Sequence, residues 1–191
     1  MRVTKEKAAE HRAAILDAAA RLFRARGFDG VGVAEIMKEA GLTHGGFYGH
    51  FASKDALAAE ACGAAFAQTL RRQETHRADG LAGLLDRYLS ARHRDRPEGG
   101  CPMPAFASEI GHQAEAVQDR FAAGVAGNID LVVSLLPDGV GAPDERRRRA
   151  IAIIAGLSGG LALARATAAT SPELSAEILA AVRAEFGALA G

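Results

Sequence analysis

The stretch GLTHGGFYGHFASK, residues 41–54, decides how the rest of the chain is read. Four glycines make it poor material for a helix, yet Phe47, Tyr48, His50 and Phe51 stand at ordered intervals within it. Phe47 and Phe51 are four residues apart and share one helical face, where they can pack against Leu22, Phe23 and Ile36. Thr43, His44, Tyr48 and His50 are left on or beside the solvent side. Thr43 reads as the N-cap of a short helix over 44–50, and Ser53 as the N-cap of a long one that begins at Lys54.

Upstream, Ile15, Leu16, Ala19, Leu22 and Phe23 form the apolar stripe of a helix over 5–26, which Gly27 ends. A second helix over 33–40 turns Ile36 and Met37 inward and stops at Gly41. Helices separated only by residues 41–43 have the layout of a helix-turn-helix, whose last helix offers its outer face to the DNA major groove. Thr43, His44, Tyr48, His50 and Lys54 can each reach a phosphate or a base edge. A lysine at a helix N-terminus opposes the macrodipole unless an anion such as phosphate draws both. Gly45, Gly46 and Gly49 allow close approach to a DNA backbone, at a cost of about 1 kcal/mol each in a helix interior. Spacing alone leaves a second possibility open, a helical hairpin whose polar residues are merely solvated.

Residues 27–57, GFDGVGVAEIMKEAGLTHGGFYGHFASKDAL, resemble the DNA-binding domain of the TetR family of bacterial transcriptional regulators. The resemblance rests on the Gly-aromatic pair after the first helix, Ile36, Ala40-Gly41, Tyr48, His50-Phe51 and Lys54, and covers roughly the first third of the chain. It implies that Tyr48, His50 and Lys54 contact phosphates or adjacent sugars and bases, and that Thr43 and His44 open the recognition helix. One departure matters. Val31 and Gly32 stand where members often carry Thr or Ser, so a hydroxyl contact to phosphate is lost and only backbone N–H groups remain there.

The bulk numbers bound the remainder. At 191 residues, 49% hydrophobic and 24% charged, the chain can bury a core without staples and is too apolar for disorder. Cys62 and Cys101, its two cysteines, have no paired spacing, which fits a reducing interior. The N-terminal MRVTKEKAAEHR lacks the apolar run of a signal peptide, and the apolar segment 150–164 is shorter than a membrane span, so a cytoplasmic protein with no membrane partner is expected. Net charge is zero; residues 1–56 hold nine Lys/Arg against seven Asp/Glu, which alone argues neither for nor against DNA.

The period stays helical throughout. Further helices are expected over 53–77, 81–93, 105–111, 114–136, 144–168 and 172–189, with a Pro/Gly-rich break at RPEGGCPMP. The expected fold is therefore all-α, about nine helices, with a helix-turn-helix domain over 1–52 and an effector-binding and dimerisation domain over 53–191. The resemblance implies those last two roles. In partial agreement, the final two helices are crowded with small residues, as close helix approach in a four-helix dimer bundle requires; Gly156, Gly159, Gly160, Leu163, Ile178 and Ala181 are the candidate interface. Packing within one chain would explain the same composition. The arginine run 146–149 reads as a solvated face with i,i+4 partners.

The default effector pocket lies between the fourth, fifth, sixth and seventh helices, with Phe66, Leu85, Tyr88, Met103, Phe106, Ile110, His112 and Phe121 as candidate lining and a small, mostly apolar effector with one or two polar anchors implied. Each of these is equally at home in a core. Cys101, expected just before a short helix, suggests an alternative: a redox or electrophile sensor whose thiol is lowered by the helix N-terminus, by His112 or by the RHRDR run over 92–96. A small buried thiol is the plainer account. Neither a paired zinc spacing nor HExxH is present, and Gly30-Val31-Gly32 follows no strand, so neither an enzyme nor a metal or cofactor is expected. The function expected is a dimeric regulator on an inverted-repeat operator in double-stranded DNA, a repressor by what the resemblance implies, released by an effector whose signal travels along the fourth helix; a helical interaction module without DNA binding is a remote alternative.

Overall fold

The computed structural model describes residues 4–137, 139 and 141–189; the first three residues of the charged N-terminal stretch lie outside it. Among the described residues there are nine α-helices, four short 3-10 helices and no strand. Thr4 accepts from Lys7 N at 3.2 Å and starts α1 (Lys5–Arg26); Gly27 ends it at φ 76°. The stripe on α1 buries Ile15, Ala19 and Phe23 completely, with Leu16 and Leu22 partly covered. After α2 (Val33–Glu39), Gly41 N donates to Lys38 O and Leu42 N to Met37 O, the paired bonds of a Schellman motif, with Gly41 left-handed at φ 72°.

The predicted third α-helix is a 3-10 helix, His44–Gly49, held by i→i+3 bonds such as His50 N to Phe47 O at 2.9 Å. Three glycines in six residues explain this: they weaken the α ladder, and the buried Phe47 and Phe51 rings, 5.9 Å apart and stacked, hold the turn instead. Thr43 makes no capping bond there, whereas Ser53 caps α3 (Lys54–Glu74) by accepting from Ala56 N at 3.0 Å.

The segment predicted as one helix over 81–93 divides into α4 (Gly80–Tyr88) and α5 (Ala91–Asp95), because Ser90 leaves the helical region and caps α5. The next helix starts inside the Pro/Gly break. It is α6 (Pro102–Phe106), with Pro102 in its first turn, and a 3-10 turn Ile110–His112 follows. Then come α7 (Glu115–Leu135), α8 (Pro143–Thr167) and α9 (Pro172–Gly187).

The core is continuous from end to end. α1 packs on α2 and α3, α3 lies along α7, α7 along α8, and α8 along α9. At 25 residues α8 is long and apolar enough, by length and composition, to cross a membrane. It matches the helix expected over 144–168, of which 150–164 is the most apolar part; Ile153, Leu157, Leu161 and Ala164 are buried within the bundle, as in a core helix. Arg146 in the arginine run donates to Val133, Leu136 and Pro137 carbonyls and so caps the end of α7, while Arg147 pairs with Asp130 and Arg149 with Glu145.

Candidate nucleic-acid interface and effector cavity

Around the 3-10 helix, packing and exposure separate cleanly. Phe47 and Phe51 are buried, the Arg12 guanidinium lies 4.6 Å over the Phe51 ring, and Arg12 also pairs with Glu60 at 2.6 Å. Tyr48, by contrast, is 73% exposed, the most exposed large hydrophobic side chain among the described residues. Thr43, His44, Gly45, Gly46 and Gly49 are exposed; His50 and Lys54 are partly so, with His50 edge-on to His11 at 6.1 Å. A Cβ at Gly45 or Gly49 would meet nothing within 4 Å, so the fold itself does not demand glycine there. Val31 is buried in the core, and Gly32 occupies the N-cap of α2 without any side-chain cap.

The expected pocket residues disperse. Leu85, Met103 and Phe106 are core side chains, Phe66 meets Phe121 edge-on at 5.6 Å and fits against Gly124, Ile110 is partly buried in its turn, and His112 is exposed. Phe106 went astray because α6 begins at Pro102, which turns its ring onto Phe28 at 4.5 Å. Of the eight candidates, Tyr88 lines the cavity of about 700 Å³ that the structure presents between the end of α3, α4, α5 and residues 98–101. Its wall is arginine-rich rather than apolar, with Arg72, Arg87, Arg92 and Arg96 around it.

Cys101 also borders this cavity but is 2% exposed, and burial pushes its thiol up. The expected lowering does not occur: α6 is five residues long, and its N-cap position gives Cys101 no side-chain capping bond. Cys62 is fully buried and pushed up to about 12 by burial. His93, from the RHRDR run, accepts from Cys101 N at 2.9 Å through Nε2, so its Nδ1 carries the proton and donates to Tyr88 O at 2.8 Å. Burial lowers this imidazole to about 4, keeping it neutral.

The small residues of α8 divide by role. A Cβ on Gly156 would fall 2.2 Å from the Phe186 ring, and one on Gly160 would fall 2.8 Å from Val182, so both glycines serve α8–α9 contact within the chain. Gly159 has open space, Leu163 is 59% exposed and Ala181 is exposed, while Ile178 is partly buried. Ile151 and Leu174 are also exposed.

Besides the packing of α1 on α3, two hydrogen bonds tie α1 and its turn to residues 98–109, and sequence reasoning missed both. Arg24 Nε donates to Glu98 O at 2.8 Å, and Phe28 N donates to the Glu109 carboxylate at 2.9 Å. Arg24, four residues after buried Ala20, was the available signal: a charge on the buried face of α1.

An all-α chain with an exposed aromatic on a glycine-rich helix-turn-helix, built onto a larger helical domain, defines a helix-turn-helix regulator class. Residues 15–61 match the model of bacterial regulatory proteins of the tetR family, and residues 78–182 match the tetracyclin repressor-like C-terminal domain. The chain belongs to the TetR family. It is 48% identical over 56 residues to the Uncharacterized HTH-type transcriptional regulator YdgC of Bacillus subtilis (strain 168), a match covering 29% of either chain. The chain thus spans under a third of the length of the curated relatives it matches. A TetR transcriptional regulator from Chloroflexus aurantiacus J-10-FL superposes with a TM-score of 0.75 at 26% identity, covering 96% of this chain and 95% of that one. E. coli NemR in its reduced form shares the fold, with a TM-score of 0.76 at 22% identity over 94% of this chain and 97% of its own. The families and relatives matched are transcriptional regulators, not enzymes.

Proposed function

We propose that the chain is a cytoplasmic, homodimeric repressor that binds an inverted-repeat operator and leaves it when an effector enters the cavity between α3, α4 and α5. The observation that carries the DNA reading is Tyr48, left in solvent while Phe47 and Phe51 beside it are buried. An exposed aromatic amid open glycines suits contact with a sugar-phosphate backbone. His50 and Lys54 flank it, and Lys54 opens a 21-residue helix whose N-terminus favours phosphate.

Dimerisation is supported by Ile151, Gly159, Leu163, Leu174 and Ala181, exposed on α8 and α9. A two-fold axis through such a face sets two recognition elements at a fixed half-site spacing. The DNA-binding part corresponds to residues 1–52 and the effector and dimer part to 53–191, with α3 shared.

Coupling runs by more than α3. The cavity wall includes Glu98, whose carbonyl holds Arg24 on α1, and α1 ends at Gly27 and Phe28 against Glu109. An effector that prefers one position of residues 98–101 biases α1 and the element after it; a tenfold loss of operator affinity needs about 1.4 kcal/mol of differential binding. Cys101 borders the same cavity, so an electrophile admitted there would meet it, but a buried, raised thiol is a slow nucleophile and makes this the second reading.

Selection from random duplex DNA, followed by anisotropy titration at two salt concentrations, tests the main reading. An enriched inverted repeat bound with steep salt dependence supports it. Undetectable or salt-independent binding overturns it.

A further inference from the structure

The cavity beside α3 is walled by groups that a wholly apolar effector would leave unsatisfied. Tyr88 is 5% exposed and lines the cavity; the Cys101 thiol and Ser158 hydroxyl lie beside its hydroxyl, but neither meets it at full hydrogen-bonding geometry. A buried hydroxyl without a partner is costly, and native proteins seldom keep one without a reason. The rim adds charge. Arg87 is neutralised by Asp79 and Asp86 by Arg183, which leaves Arg72, Arg92 and Arg96 without an ion pair among the described residues, against the single carboxylate of Glu98.

An adjoining cavity of about 470 Å³ shares Arg72, Glu98 and Gly99 with the first and adds Arg21, Arg24 and Arg71 along with the carboxylate of Asp17. Arg24 is 4% exposed, and its guanidinium meets only the Glu98 carbonyl and the Gln68 amide oxygen. Burial first, then the neighbouring Arg72, lower it to about 10, with Asp17 opposing. Arg21 is paired with Asp17 and Glu39, whereas Arg72, Arg92 and Arg96 have no ion pair among the described residues; guanidiniums left so on a concave wall are suited to planar, bidentate capture of a carboxylate or phosphate.

We propose that this cavity binds an organic anion, its acidic group held by Arg72, Arg92 and Arg96 at the rim and its body reaching inward so that an acceptor atom accepts a hydrogen bond from the Tyr88 hydroxyl. The inference rests on the effector reading above and names the effector's chemical class. It also supplies a route to DNA: an anion drawn against Arg72 and residues 98–99 bears on the Glu98 carbonyl that holds Arg24 of α1.

The test uses the full chain without DNA, so that its failure is distinct from failure of operator binding. Thermal shift and calorimetry compare octanoate with octanamide and phenyl phosphate with phenol, with inorganic phosphate as the bare anion. At least one acid should bind about tenfold or more tightly than its neutral twin, and the pair that separates identifies carboxylate or phosphate. Arg72 and Arg96 are exposed, so Arg72→Met with Arg96→Met should fold normally and weaken acid binding by about tenfold. Tyr88→Phe removes only the unpartnered hydroxyl; the free protein should be no less stable while the acid binds about tenfold less tightly. Acids that bind no better than their twins, no binding at millimolar concentration, or inorganic phosphate binding as tightly as the organic acids would overturn the proposal. So would acid binding untouched by the arginine or tyrosine changes. Binding of a neutral twin alone would leave an effector site standing and remove its anionic character.

Discussion

The backbone N–H of Phe28 donates to the carboxylate of Glu109 at 2.9 Å, across the join between the α1 turn and the segment after α6. Gly27 stands beside it in the left-handed region, and a Cβ there would meet the same carboxylate at 2.2 Å. Phe28 is buried, so its N–H has little else to bond. Glu109→Ala should therefore cost about 1–3 kcal/mol, the penalty for an orphaned buried donor. It should also blunt effector response more than operator affinity. Denaturant midpoints and anisotropy with and without effector check both.

Gly32 offers the opposite opportunity. It sits at the N-cap of α2 with φ −91°, a conformation open to any L-residue, and nothing lies within 4 Å of a Cβ built there. Gly32→Ser should stabilise the chain by about 0.5–1 kcal/mol through capping and reduced unfolded-state freedom. It also restores a hydroxyl at a position facing phosphate in the proposed complex. Operator affinity should rise; an unchanged affinity with raised stability would show that this turn stands off the DNA.

Tyr48→Ala and Lys54→Ala should leave stability within about 0.5 kcal/mol, because Tyr48 is solvent-exposed and Lys54 makes no ion pair among the described residues. Each should weaken operator binding. Only Lys54→Ala should lower the salt slope, by about one counterion. Titrations at several salt concentrations separate the two.

Leu163→Glu places a charge on the exposed α8 face without touching the buried one. Light scattering should report a monomer with intact helicity, and cooperative occupation of both half-sites should be lost. Gly160→Ala, facing Val182 at 2.8 Å, should instead destabilise the α8–α9 contact within the chain.

His93 is held neutral, lowered by burial from 6.5 to about 4, with Arg165 and Arg72 adding repulsion and the Tyr88 carbonyl bond opposing. Between those values the unfolded chain takes up a proton that the folded chain refuses. The contribution of His93 to stability is thus complete above about pH 6.5 and falls away as pH descends toward 4, by roughly 3 kcal/mol. His93→Asn should flatten that part of the pH dependence. Urea midpoints across this window, compared between the two proteins, measure it.

Much of the N-terminal third is legible without a structure because its signals are local. Gly27 and Gly41 stop helices, Ser53 starts one, and Phe47 and Phe51 stand four residues apart, all within a few residues of backbone. These interactions depend on nearest neighbours along the chain, so the residue types alone determined the helix-turn-helix, the all-α class and the family. Periodicity names the apolar face of a helix but not the surface it meets. Only the tertiary structure decided that Gly156 and Gly160 face α9 while Gly159 faces outward, that Phe106 closes on Phe28 instead of lining a pocket, and that arginines from α3, α5 and the following loop gather around Tyr88. Those outcomes depend on how helices distant in sequence cross, where a start shifted by three residues turns a side chain from one neighbour to another.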